Sequence, residues 1–137
     1  MANEATLIFE TELPIPFTVA NATGIEKGAL LKMTDPMTAI AHSAVEDTPA
    51  GIAAGEKIAS DGLTKLEVYR GGIFKVTLSG SCTVGDALSL SSTANMVRTV
   101  SSSSLSGAKI IGYALETGSS ADTILMDMRI HSNGGVL

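Results

Sequence analysis

Between residues 7 and 19 apolar side chains recur at every second position: Leu7, Phe9, Leu13, Ile15, Phe17 and Val19 share one face, broken only at Thr11. That period predicts an extended strand or arm. Pro14 and Pro16 lack an N–H, and residues two apart in a strand aim those groups to the same side. One edge is therefore blocked, which places the segment at a sheet margin or outside the sheet. Asn21 to Gly28 reads as a turn leading into a short strand over Ala29 to Thr34, which Asp35-Pro36 closes. The Ala-rich stretch from Ala39 to Ala59 has helix propensity. Thr48-Pro-Ala-Gly51 interrupts it, and 38–45 is read as strand. Ile58 to Asp61, Gly62 to Arg70 and Ile73 to Leu78 follow as strands separated by glycine-based turns, with Asp61-Gly62 a hairpin signal. Short strands continue through Leu88 and Leu90, Met96 to Val100, Ile110-Ile111 and Thr123 to Ile130. Ser101 to Ser106 reads as a surface loop or one helical turn, and His131 to Gly135 as a loose end.

The pattern repeats. Under a shift of 57 residues Phe17-Thr-Val19 falls on Phe74-Lys-Val76, Ile25-Glu-Lys-Gly28 on Cys82-Thr-Val-Gly85, and Leu31-Lys-Met33 on Leu88-Ser-Leu90. With four further residues admitted in the run Ser101 to Ser104, Gly51-Ile-Ala-Ala54 falls on Gly112-Tyr-Ala-Leu115. Turn signals recurring roughly every eight to twelve residues predict an all-β barrel or sandwich. The fold class expected is mainly β: a compact, barrel-like single domain with an internal two-fold repeat and little helix. Residues 1–16 are expected to form an extended N-terminal arm. Residues 17–137 are expected to form one β domain, with repeat units of about 17–56 and 74–116 sharing one core. Gly28 and Gly85, matched in the repeat before a short apolar strand, are read as turn positions that need positive φ.

A chain of 137 residues suits one domain. Its apolar fraction of 45% includes only 4% aromatics and no Trp, which predicts a finely packed core of small side chains without large aromatic anchors. A net charge of −5, with nine scattered basic residues, argues against nucleic acid as a partner. No apolar run approaches the ~20 residues of a membrane helix. The first ten residues carry acids where a secretory signal carries bases, so the expected site of synthesis is a cytoplasm. Cys82 is the sole cysteine, in keeping with a reducing compartment, and Asn21-Ala-Thr23 is read as a chance sequon.

Catalytic signatures are missing. The chain has no Gly-x-Ser-x-Gly elbow, no phosphate-binding Gly-x-x-x-x-Gly-Lys loop and no cysteine pair at metal spacing. His42 and His131 are its two histidines, and neither has a second ligand at helical or hairpin spacing. His42 is read as a solvent-facing or interface residue, and Cys82, matched to Ile25, as a buried small hydrophobe. Asp61 and the Glu46-Asp47 pair are assigned to solvated turns. Asp127 sits beside Arg129 in an apolar strand, either exposed by alternation or paired at a subunit interface. No catalytic residue, cofactor or metal ligand is assigned, and the chain is not read as an enzyme.

The motifs Ile25-Glu-Lys-Gly-Ala-Leu-Leu31, Pro49-Ala-Gly-Ile-Ala-Ala54, Val84-Gly-Asp-Ala-Leu-Ser-Leu90 and Ile110-Ile-Gly-Tyr-Ala-Leu-Glu116 together resemble the small capsid cement, or decoration, proteins of tailed phages. These are similar in role and fold type to the lambda-like head decoration proteins. The resemblance spans roughly residues 13 to 130. It implies a β-tulip unit that sits as a homotrimer on the outer capsid surface, at three-fold and quasi-three-fold positions. There it would clamp neighbouring subunits of the major capsid protein, without catalysis and with neither nucleic acid nor membrane as partner. Leu7, Phe9, Leu13, Pro14, Ile15 and Pro16 would form the capsid-binding arm, and Asp127 and Arg129 a trimer contact. The alternatives are a minor virion component, such as a head-fibre base or tail accessory, and a carbohydrate- or surface-binding β module. A small hydrolase or lyase subunit is the most distant of them.

Overall fold

Backbone pairing in the computed structural model, which describes residues 3–45, 47–100 and 109–130, divides the strands between two closed rings. The first is built from β2 (Ile15–Thr18), β3 (Leu30–Asp35), β4 (Thr38–Ala41), β5 (Pro49–Ala53) and β6 (Lys65–Tyr69), in the order β2-β4-β3-β5-β6 with β6 back on β2. The second is built from β7 (Gly71–Leu78), β8 (Ala87–Leu90), β9 (Met96–Thr99), β10 (Ile110–Ala114) and β11 (Thr123–Arg129), and closes where β7 pairs both β11 and β9. Each ring has one parallel contact, β2 with β4 and β7 with β9; its other pairings are antiparallel. The remaining strand, β1 (Thr6–Phe9), adds to β7 outside the second ring.

The mainly-β expectation is met, and the duplication is visible bond by bond. Ile25 bridges Lys57 in the first unit, and the matched Cys82 bridges Gly118 in the second. The Gly28 N–H donates to the Ala53 carbonyl at 2.9 Å, and the Gly85 N–H to that of Ala114 at 2.7 Å. Both glycines have positive φ, +89° and +93°, the left-handed turn that a Cβ disfavours. Each unit takes in a strand beyond the spans 17–56 and 74–116: β6 in the first and β11 in the second, without which neither ring closes.

Strands run through the Ala-rich stretch because its side chains fill a narrow interior. Every residue of β5 is buried, and Ala29, Ala39, Ala50 and Ala53 lie in the first core with Phe17 and Leu31. A five-stranded ring leaves little interior volume, so alanine fits where a larger residue would overpack. The second core uses larger groups, among them Phe74, Leu88, Ile111 and Met126. A single shared core was expected; there are two, and Leu30 and Ile52 from the first unit are buried in the second.

Ile58 to Asp61 was expected as strand and is a turn. The Asp61 carboxylate accepts the N–H of Ile58 at 3.0 Å and of Leu63 at 2.9 Å, which closes the backbone and leaves Ile58 exposed. The corresponding turn repeats the device, with Asp122 accepting from Ser119 at 2.9 Å. The loop assigned to Ser101 to Ser106 and the loose end from His131 lie outside the described residues, apart from which no α-helix occurs.

Candidate functional site

The alternating N-terminal segment is divided between the two rings. Near its start the Ala5 N–H donates to the Gly28 carbonyl at 2.8 Å, which lays the chain across a turn of the first unit. The next residues form β1, antiparallel to β7, with Thr6 opposite Lys75, Leu7 opposite Phe74 and Phe9 opposite Ile73. Leu7 packs on the second core, whereas Ile8 and Phe9 are exposed, Phe9 by 64%. Tyr69 then donates its hydroxyl to Glu10 at 3.0 Å; partial burial, followed by that carboxylate, raises the phenol above its ordinary pKa. The Glu12 carboxylate lies against Gly71, and Leu13 points outward with 76% of its surface exposed. Ile15 and Pro16 already belong to β2. The described stretch 3–16 is thus not one free arm: Leu7 and Pro16 are held in the fold, and Phe9 and Leu13 are its most exposed apolar groups.

The prolines have a definite place. Thr18 donates to Met37 at 2.6 Å on the β4 side of β2, so positions 16 and 14 face that same side. Both are prolines, and β4 meets β2 only at Thr18. On β7 the like-facing positions Lys75 and Ile73 retain N–H groups, and this is where β1 pairs. Pro14 and Pro16 were expected at a sheet margin or outside the sheet; Pro14 precedes β2 and Pro16 lies on the seam of a closed ring, because the Pro-free edge of β2 pairs with β6.

His42 is buried between the units. Asn95 donates its backbone N–H to Nε2 at 2.8 Å, which leaves Nδ1 as the donor to the Ser91 carbonyl at 2.9 Å. Asn95 in turn accepts the Leu30 N–H on Oδ1 at 3.1 Å. His42 is therefore neutral, and burial pushes its pKa below the ordinary value. It is an internal staple between the two units, neither solvent-facing nor a catalytic base. Cys82 is buried as expected, and burial raises its thiol pKa. Lys57 is buried as well, with Nζ bonded to the Asn21 carbonyl at 2.6 Å and paired with Asp61 at 3.2 Å. Among the described residues no group of three or more His, Cys, Asp or Glu could hold a metal ion, and no helix is long and apolar enough to cross a membrane.

Asp127 and Arg129 lie on the outer side of β11, and Arg129 Nε donates to Asp127 Oδ2 at 2.6 Å. They rim an open groove of about 560 Å³ floored by Gly85 and Ala114 and flanked by Val84, Tyr113 and Leu115. A second groove, of about 580 Å³, lies at the matched place of the first unit between Lys27, Gly28, Ala53, Ala54 and Tyr69, and residues Glu4 to Leu7 line it. Val84 and Leu115 lie inside the motifs quoted above, but motif reading gave them no role. The repeat itself carried the signal: Val84 stands where Lys27 stands and Leu115 where Ala54 stands, an apolar gain at two exposed positions.

Comparison with known proteins places this geometry. Among solved structures the chain is similar to the head fibre gp8.5 N base of bacteriophage phi29, with a TM-score of 0.55 and 18% identity over 85% of this chain and 94% of that one. That likeness is one of fold. No curated protein matches. The family model of the phage cement proteins matches residues 9–130, which takes in both rings, and the chain belongs to that family.

Proposed function

We propose that this phage cement protein decorates the outer face of the head and clamps neighbouring subunits of the major capsid protein, as a homotrimer at three-fold and quasi-three-fold positions. The role is structural and non-catalytic, without a cofactor. The observation that carries the reading is the outward display of Phe9 and Leu13 on a segment pinned at both ends, by Ala5 to Gly28 and by Ile15 in β2. Large apolar groups on a stretch already ordered lose little conformational entropy on docking. Phe9→Ser with Leu13→Ser is expected to weaken binding to expanded capsids about a hundredfold or more, since burying such side chains contributes roughly 1.5–3 kcal/mol each, while the melting temperature stays put. Binding that survives the double change would sink this contact.

The likeness to a head-fibre base favours a second reading, in which the chain anchors a rarer surface appendage. Quantitative mass spectrometry of purified virions separates the two. A copy number comparable with the major capsid protein, or a fixed fraction of it, supports decoration. A handful of copies per particle supports the fibre base.

A further inference from the structure

The duplication makes each groove a reference for the other. In the first unit residues Glu4 to Leu7 wall the groove and cover Gly28: Ala5 donates to the Gly28 carbonyl, and a Cβ on Gly28 would strike the Ala5 carbonyl oxygen. The backbone of the second groove is the same, with Gly85 at matching φ and bonded to Ala114 as Gly28 is to Ala53. The cover over the glycine differs. A Cβ on Gly85 would meet nothing within 4 Å, and among the described residues the Gly85 carbonyl accepts no hydrogen bond. Val84 is 56% exposed and Leu115 41%.

Among the described residues one chain supplies one segment of the Glu4–Leu7 kind and two such grooves. Exchange of that segment among copies therefore leaves half the grooves without one, and the second is available to a segment of another protein. The side chains around it have also become more apolar than those of the first groove, Val84 for Lys27 and Leu115 for Ala54, as suits a surface that buries a foreign strand. The Asp127–Arg129 pair is satisfied within the chain and forms a polar rim.

We propose that the groove between Val84-Gly85, Tyr113 to Leu115 and Asp127 captures an extended segment of the capsid shell protein. A backbone N–H of that segment bonds the Gly85 carbonyl, and a small residue, Gly, Ala or Ser, lies over Gly85 as Ala5 lies over Gly28. The inference rests on the reading that the chain binds the shell. The full-length chain carrying p-benzoylphenylalanine at position 84 or 115 is mixed with expanded shells of its phage that lack the protein. After irradiation the cross-linked peptides are sequenced by mass spectrometry. Both positions are expected to link to one short stretch of the shell protein. Leu115→Glu is expected to lower shell affinity about tenfold or more at an unchanged melting temperature. Ile58→Glu, at an exposed turn of the first unit, leaves affinity as it was. Chains that sediment with shells yet link only to a second copy, to residues 131–137 or to nothing overturn the groove proposal, as does full affinity in Leu115→Glu; the capsid reading then stands. Failure of the unmodified chain to sediment with shells overturns the capsid reading itself.

Discussion

Protonation of His42 breaks one of the bonds it makes. Nε2 accepts from Asn95, and a proton placed there turns an acceptor into a donor facing a donor. The unfolded chain takes up that proton near the ordinary histidine value of about 6.5, whereas the folded chain resists until a lower pH. Stability is therefore constant above that value and falls as pH descends from it towards the depressed folded pKa. Urea midpoints measured from pH 7.5 to 5 are expected to show this decline, and His42→Ala to remove the histidine's share of it. The substitution also leaves Asn95 N–H and Ser91 C=O without their partner, at a cost of about 1–3 kcal/mol at neutral pH. Equal pH dependence in both proteins would refute the staple. Sequence placed Cys82 in the core through its match to Ile25, but it could not place His42. Its partners, Ser91 and Asn95, come from the other unit, and no local pattern carries a contact of that range.

Strand identity was legible wherever alternation had six or more residues to act on, as along Ile73 to Leu78 and Thr123 to Arg129. It failed at Ile58 to Asp61, where a side-chain carboxylate rather than apolar period decides the backbone. Residues 7–19 were read as one extended apolar face; they form two strands, β1 and β2, with Leu7, Phe17 and Val19 turned inward and Phe9 and Leu13 outward, and that division depends on where each half finds a free edge. Pro14 and Pro16 govern that choice, since they deny the β2 seam the N–H groups through which β7 receives β1. Pro14→Thr with Pro16→Thr restores those donors beside a short, exposed strand. The variant is expected to stay folded and to self-associate by strand addition, seen as a concentration-dependent rise in sedimentation coefficient. An unchanged sedimentation profile up to high protein concentration would count against a guarding role.

Taken whole, the molecule is two five-stranded rings that cannot come apart cleanly. Leu30 and Ile52 are strands of the first ring by backbone and members of the second core by side chain. At the joint between the rings, Arg70 donates Nη1 to the Ala50 carbonyl at 3.1 Å and lies 5.7 Å from the Phe17 ring centre. One cooperative transition is expected for both rings. Tyr69 and Tyr113 lie one on each ring, and no Trp masks them, so Tyr69→Phe and Tyr113→Phe provide separate fluorescent reporters. Ile52→Ala is expected to cost about 2–5 kcal/mol and to shift both reporters together. Transitions that separate would show that the rings fold independently. Repetition in the sequence announced two units, but the lodging of one unit's side chains in the other's core has no repeat signature, because Leu30 and Ile52 serve it only in the first copy.

The position of β1 also sets an order of events at the ribosome. The strand leaves the exit tunnel ahead of the first ring, and its partner residues Ile73 to Lys75 are translated only after that whole ring. At about 5–20 residues per second, Ile8 and Phe9 wait for several seconds with their backbone unpaired. The first ring can close during that pause, and the nascent leader can already rest on Gly28 through Ala5. That early hold would keep a sticky strand close to the edge it will later cover and away from neighbouring chains on the same polysome.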